Sequence, residues 1–124
     1  MASAFVDQIF CQDMCGIAGF ISLKGRPINN GGSILNCMSK ILAHRGPDGQ
    51  GSWINDEQTT GLAHTRLAII DLNKNADQPM KGQDNSIISL NGEIYNYLEL
   101  RDSLSPNWNF STKSDTETVL ASYH

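Results

Sequence analysis

Basic residues are scarce in this sequence. Lys and Arg total 9 against 13 Asp and Glu, giving a net charge of −4 and a pI near 5.1. That balance argues against a nucleic-acid partner, because phosphate recognition needs clustered Lys and Arg. Long apolar runs are missing as well: none approaches the ~20 residues that span a bilayer. Cysteine is rare, and 3 residues at irregular spacing do not make a disulfide framework, which favours a reducing compartment. Residues Met1 to Asp13 carry no Lys or Arg, and Asp7 and Gln8 split their apolar residues, so they do not read as a secretory signal. These absences predict a cytoplasmic protein with neither nucleic acid nor membrane as partner.

What remains is an ordinary globular composition: 124 residues, 40% hydrophobic and 18% charged, enough for one domain at most. Cys15 to Leu23 reads as a strand without clean polar alternation, expected to be covered on both faces. The turn-rich Lys24 to Gly32 follows. Ser33 then reads as the cap of a helix whose apolar face is Ile34, Leu35, Met38, Ile41 and Leu42. His44 and Arg45 fall in its last turn, and Gly46-Pro47 stops it. Short strands are expected at Gly51–Asn55, Gly61–Thr65 and Leu67–Leu72, a polar loop at Asn73–Asn85, and a buried strand at Ser86–Leu90. A second helix starts near Asn96 with Glu99 at its third position and a Tyr97, Leu100, Leu104 stripe. A third carries the capping-box pattern Ser114-x-x-Glu117 and an apolar side of Val119, Leu120 and Tyr123. The sequence stops inside that helix, which predicts a fragment of a longer chain. Strands and helices intermix without a regular βαβ rhythm, so the fold class is a layered α+β structure.

Five segments could carry chemistry: Met14-Cys15-Gly16-Ile17, His44-Arg45-Gly46-Pro47-Asp48-Gly49, Arg66-Leu67-Ala68-Ile69-Ile70-Asp71, Asn91-Gly92-Glu93-Ile94-Tyr95-Asn96 and Ser114-Asp115-Thr116-Glu117. Each has a plain structural explanation. A lone strand cysteine is usually a small buried hydrophobe. Pro47-Asp48-Gly49 suits a type I turn. Arg66 alone reads as solvated or ion-paired, Asn91-Gly92 as a hairpin turn, and Asp115 as first-turn helix charge. No CxxC or paired HxxxH spacing supports a structural zinc site. Neither GxxxxGK[ST] nor GxGxxG occurs, so no nucleotide site is expected. The surroundings of Cys15 do not match a papain-like signature.

Taken together and in order, Cys-Gly-Ile-Ala-Gly-Phe, HRGPDGQG, LAHTRLAIIDL, QPM, SLNGEIYNYLELR and SDTETVL resemble the N-terminal glutaminase domain of glutamine-hydrolysing asparagine synthetases. These are class II glutamine amidotransferases with an N-terminal-nucleophile fold. The resemblance spans residues 14 to about 123. Relatives that make amino sugars or purine precursors usually carry other residues after the His-Arg-Gly element, so Pro47-Asp48 and the IIDL segment favour the asparagine synthetase branch.

The resemblance implies an α+β, four-layer αββα sandwich, incomplete at the C-terminus. Residues 1–14 would be an extension, a leader or a misassigned start, and residues 15–124 a partial amidotransferase domain. It implies Cys15 as nucleophile, with Asn91 and Gly92 supplying the oxyanion hole. Arg66 would pair the glutamine α-carboxylate and Asp115 the α-ammonium, with Glu93 and backbone groups along Leu67, Ala68, Ile69 and Ile70 completing the contacts. The free α-amine of Cys15 would move the proton. An α-amine has a reference pKa of about 7.7–8.0 and a thiol about 8.5, a close match for transfer near neutral pH. An amide nitrogen is not a base, so Met14 must come off, either as initiator Met or with a cleaved leader. No cofactor is implied for this domain. ATP and Mg2+ are expected only in a synthetase domain, the implied partner in cis or in trans beside L-glutamine, and a homodimer is left open. The competing readings are a non-catalytic glutamine-binding remnant with a blocked Cys15, and a truncated gene product.

Overall fold

The computed structural model describes residues 14–67 and 74–124. Strand β1 (Gly16–Ile21) leads to helix α1 (Gly31–Leu42), then to β2 (Gly49–Ile54) and β3 (Thr60–Arg66). A single 3-10 turn at Lys74–Ala76 precedes the short strands β4 (Met80–Lys81) and β5 (Ile87–Ile88). Helices α2 (Tyr97–Leu104) and α3 (Asp115–Tyr123) close the chain. The result is a small domain of mixed α and β structure, with a three-stranded antiparallel sheet of order β1-β3-β2 and a two-stranded sheet β4-β5. The strand expected at Leu67–Leu72 lies, beyond Leu67 itself, outside the described residues.

Helix α1 packs on one face of the larger sheet. Gly16, Ala18 and Phe20 share that face by their alternation, and the Phe20 ring fits between sheet and helix because Gly31 and Gly61 have no side chain. A Cβ at either glycine would come within 2.8 or 2.7 Å of the ring. This packing corrects two expectations. The helix begins at Gly31, not after Ser33: the residue before it is Asn30, held at φ 61°, and Ser33 is exposed on the first turn. Seating Gly31 on Phe20 outweighs a hydroxyl cap. Nor is β1 covered on both faces. Ile17 and Ile21 are 41% and 66% exposed, because α1 covers only the opposite side. Leu35 is fully buried, but Ile41 points to solvent at the rim of the helix.

His44 and Arg45 lie just past the end of α1. The His44 Nδ1–H donates to Ile41 O at 2.9 Å, and the Arg45 N–H to Leu42 O at 2.9 Å. Gly46 then runs against β3 so closely that a Cβ there would overlap the Thr65 and Arg66 backbone. Asp48 N–H donates to Arg66 O at 3.0 Å. The polar loop expected at Asn73–Asn85 is, over its described residues from Lys74 on, more than a loop, since Met80 pairs with Ile88. The strand expected at Ser86–Leu90 shrinks to Ile87–Ile88 and is half-buried rather than buried.

A second core gathers Ala76, Met80, Trp108, Leu120 and Ala121, with Ile88, Leu104 and Phe110 against it. Helix α2 begins as expected, with Asn96 before it and Glu99 at its third position. Helix α3 departs from its expected apolar side. Tyr123 is exposed, and the buried residues are Asp115, Thr116, Glu117, Thr118, Leu120 and Ala121. The reciprocal capping box does not form either. Ser114 Oγ accepts from the Thr116 N–H at 3.2 Å, while Glu117 turns away to the 108–112 segment. There its carboxylate accepts from the N–H and hydroxyl of Thr112 at 2.6 Å each, from the N–H and hydroxyl of Ser111 at 2.8 and 3.1 Å, and from Trp108 Nε1–H at 3.3 Å. Burial pushes this carboxyl up, and the converging donors more than reverse that, holding it below the usual carboxylate range.

Candidate active site

Cys15 sits just before β1, beside the end of β3. Its place is fixed by its neighbours. The Gly16 N–H donates to Thr65 Oγ1 at 3.2 Å, and that hydroxyl donates to Leu42 O at 3.1 Å. Arg45 Nε–H donates to Cys15 O at 3.4 Å. The thiol meets the Leu67 peptide, whose N–H points to Sγ at 3.3 Å. Cys15 is half-buried and unpaired in any disulfide. It is not the core hydrophobe that a lone strand cysteine usually is.

A cavity of about 550 Å³ opens at this point. Cys15, Arg66, Leu67, Asn91, Gly92, Glu93 and Asp115 all line it. Four separate stretches of sequence thus bring to one place the residues singled out in advance. Ala68, Ile69 and Ile70 lie outside the described residues. Met14, still joined to Cys15, forms part of the wall.

Arg66 closes β3 and is buried, with its Nη1 donating to Asp77 Oδ1 at 2.8 Å. Asp115 opens α3 and is buried; its Oδ2 accepts the Ile94 N–H at 3.0 Å. Asn91 and Gly92 are exposed and lie between β5 and α2. They do not form a hairpin turn, because a helix follows them. The cavity lining therefore combines a cation from one strand end and a carboxylate from one helix start with the Asn91-Gly92 pair and a thiol. This is a set suited to a small zwitterion that also carries an electrophilic carbonyl. Among the described residues no group of His, Cys, Asp or Glu is placed to hold a metal ion, and no helix is long and apolar enough to cross a membrane.

Sequence reasoning gave no part in the site to Gln78, Leu90, Tyr95, Ser114 or Thr116, which also line the cavity. Gln78 is the most informative of these. It is buried, with Oε1 accepting the Leu90 N–H at 2.5 Å and Nε2–H donating to Thr116 Oγ1 at 3.1 Å. Its place in the QPM segment was the signal available. Beneath the site lies His64, buried on β3, with Nε2–H donating to Leu90 O at 3.3 Å. Burial holds its imidazole below the ordinary value; the Leu90 carbonyl acts in the opposite sense.

Comparison with known proteins defines the class. The glutamine amidotransferase domain family matches residues 14–124, and the chain belongs to it. Among curated relatives, Amidase chry2 of Gibberella zeae is 38% identical over 119 residues, covering 89% of this chain and 18% of that protein. Asparagine synthetase B (glutamine-hydrolyzing) of Escherichia coli is 36% identical over 110 residues, 89% of this chain and 19% of that protein. Asparagine synthetase (glutamine-hydrolyzing) 1 of Bacillus subtilis is 44% identical over 92 residues, 73% of this chain and 14% of that protein. The chain thus spans less than a fifth of the length of these relatives.

Proposed function

We propose that this domain hydrolyses L-glutamine to glutamate and ammonia through a thioester on Cys15. The observation that carries the reading is the convergence of Cys15, Arg66, Asn91, Gly92 and Asp115 on one cavity. The Cys15 thiol gives its proton to the α-amine of the same residue as its sulfur attacks the side-chain carbonyl carbon. The carbonyl oxygen becomes an oxyanion that accepts from the Asn91 amide and the Gly92 N–H. The protonated α-amine of Cys15 then returns the proton to the amide nitrogen as the carbon–nitrogen bond breaks, so the nitrogen leaves as ammonia. Water hydrolyses the thioester to glutamate and frees Cys15. Arg66 receives the substrate α-carboxylate and Asp115 its α-ammonium. Glu93 and the backbone from Leu67 to Ile70 complete the contacts.

The same reading extends outward from the site. Residues 15–124 are part of a four-layer αββα domain, and residues 1–14 precede the functional N-terminus. The domain itself uses no cofactor. Its ammonia passes to a synthetase domain, in cis or in trans, that uses ATP and Mg2+ to make asparagine in the cytoplasm. The names of the relatives, synthetase and amidase, both fit a module that releases ammonia for a reaction elsewhere.

The Cys15 α-nitrogen must be free, and Met14 in the cavity wall is the obstacle. Intact mass of the protein from its natural source, paired with a glutamine-dependent ammonia assay, tests the reading. A chain beginning at Cys15 that releases ammonia and glutamate in equal amounts is expected. Turnover by a chain that retains Met14 would overturn the mechanism. A retained Met14 without turnover would mark a glutamine-binding remnant.

A further inference from the structure

We propose that Gln78 is a positioning residue for this reaction: by gripping the Leu90 peptide it sets where the Asn91-Gly92 donors stand relative to Cys15. The inference rests on the glutaminase reading and adds to it a residue that does not touch the substrate in that reading.

The need for such a residue follows from the fold. The β4-β5 ladder ends at Ile88, and residues 89–93 have no regular structure. Asn91, Gly92 and Glu93 are exposed, so neither a ladder nor core packing fixes them. They are tied on each side instead. On the downstream side, the Ile94 N–H donates to Asp115 Oδ2 at 3.0 Å. On the upstream side, both polar groups of Leu90 are taken by buried side chains: its N–H by Gln78 Oε1 at 2.5 Å, and its C=O by His64 Nε2–H at 3.3 Å.

Gln78 is itself held from two directions. Its Nε2–H donates to Thr116 Oγ1 at 3.1 Å, in the first turn of α3 beside Asp115. Its backbone lies on Gly51 of β2, where a Cβ would overlap the Gln78 carbonyl. One amide side chain therefore couples β2, the Leu90 peptide and the start of α3. A primary amide suits this work because it accepts and donates at once.

Oxyanion donors act on the transition state rather than the bound ground state. Loosening them lowers kcat and leaves apparent substrate affinity largely intact. A shift of about 1 Å in such donors can cost on the order of 100-fold. Gln78→Met keeps the length and apolar stem and removes both hydrogen bonds.

The test uses the full natural protein with Cys15 as its first residue, kcat being expressed per alkylation-titratable Cys15. Gln78→Met is expected to lower kcat tenfold or more, with KM within threefold, and to speed hydrogen exchange at the Leu90 amide. A fall below threefold in kcat so expressed, or unchanged Leu90 exchange, overturns the proposal. If Gln78→Met does not fold, Thr116→Val decides. It frees only the distal end of Gln78, so a kcat fall of threefold or more at unchanged KM sustains the proposal and a smaller one overturns it. Ammonia release by the unsubstituted protein separates the two levels. Its absence defeats the glutaminase reading and this inference together, whereas turnover that Gln78→Met leaves intact defeats the inference alone.

Discussion

The Leu67 peptide meets the Cys15 thiol with both of its polar groups: its N–H lies 3.3 Å from Sγ, and its carbonyl oxygen 3.7 Å. The N–H contact and the carbonyl contact hold the sulfur from two sides of one peptide. The contact orients sulfur toward the cavity without packing it into a core. Cys15→Ala should therefore abolish ammonia release while changing stability by less than about 1 kcal/mol, since little more than one half-buried sulfur is removed. Steady-state assays with urea unfolding check both halves. Residual turnover above a few per cent would remove Cys15 from its role.

Arg66 should act on binding rather than on chemistry. Its Nη1 is oriented by Asp77, whose side chain is 42% exposed, so losing the guanidinium leaves that carboxylate partly solvated instead of stranded. A charge-assisted hydrogen bond is worth about 1.5–3 kcal/mol, so Arg66→Ala should raise KM for glutamine roughly 10- to 150-fold with a much smaller change in kcat. Asp77→Asn should move KM in the same direction by less, since the arginine remains but is less firmly oriented. An unchanged KM in Arg66→Ala would remove the carboxylate assignment.

Much of this was legible in the sequence, and the failures have physical causes. Helix α2 starts where Asn96 and Glu99 put it and its Tyr97, Leu100, Leu104 stripe is half-buried, although Asn96 makes no side-chain cap bond. The start of α1 was misplaced because the deciding contact, Gly31 on Phe20, joins residues on separate elements. Glu117 was read as half of a capping box because the motif is local, whereas its actual donors come from Trp108, Ser111 and Thr112. Of the cavity-lining residues, Cys15, Arg66, Leu67, Asn91, Gly92, Glu93 and Asp115 were legible through family resemblance, not through periodicity. Gln78 was assigned no role because a buried glutamine bridging the Leu90 peptide and the first turn of α3 has no spacing signature.

Asn91 offers a clean test of the oxyanion assignment, because its side chain is exposed and supports no core packing. Removing one oxyanion donor typically costs about 100- to 1,000-fold in kcat. Asn91→Ala should show a loss of that order with an unchanged unfolding midpoint. A kcat within threefold of the unsubstituted protein would move the oxyanion site elsewhere.

His64 predicts a pH dependence of stability. Burial depresses its native pKa below the ordinary imidazole value, so the neutral ring is the folded form. As pH falls through about 6.5 the unfolded chain takes up a proton that the native state refuses. Stability then declines until the lower native value is reached, by at most about 1.4 kcal/mol per pH unit. Nδ1 has no hydrogen-bond partner among the described residues, which is consistent with a ring that resists a second proton. Urea unfolding at pH 7.5 and 5.5 should show a larger loss in the unsubstituted protein than in His64→Gln. Parallel losses would show that His64 does not stay neutral.

Glu117 predicts the same direction of change in a lower pH window. Its donors hold the native carboxyl below the usual range, so its contribution is complete above the unfolded value of about 4.3 and is lost as pH falls through the lower native value. Glu117→Gln keeps the shape and replaces one acceptor oxygen with a donor nitrogen facing the hydroxyls and N–H groups of Ser111 and Thr112. The variant should lose about 2–3 kcal/mol at neutral pH. The gap between variant and unsubstituted protein should narrow as acid protonates Glu117 in the latter. Because Glu117 anchors the segment that also carries buried Trp108, the loss should appear as an earlier unfolding of the second core, read by Trp108 fluorescence. A constant gap across that pH range would mean that the carboxylate charge is not what binds the 108–112 segment to α3.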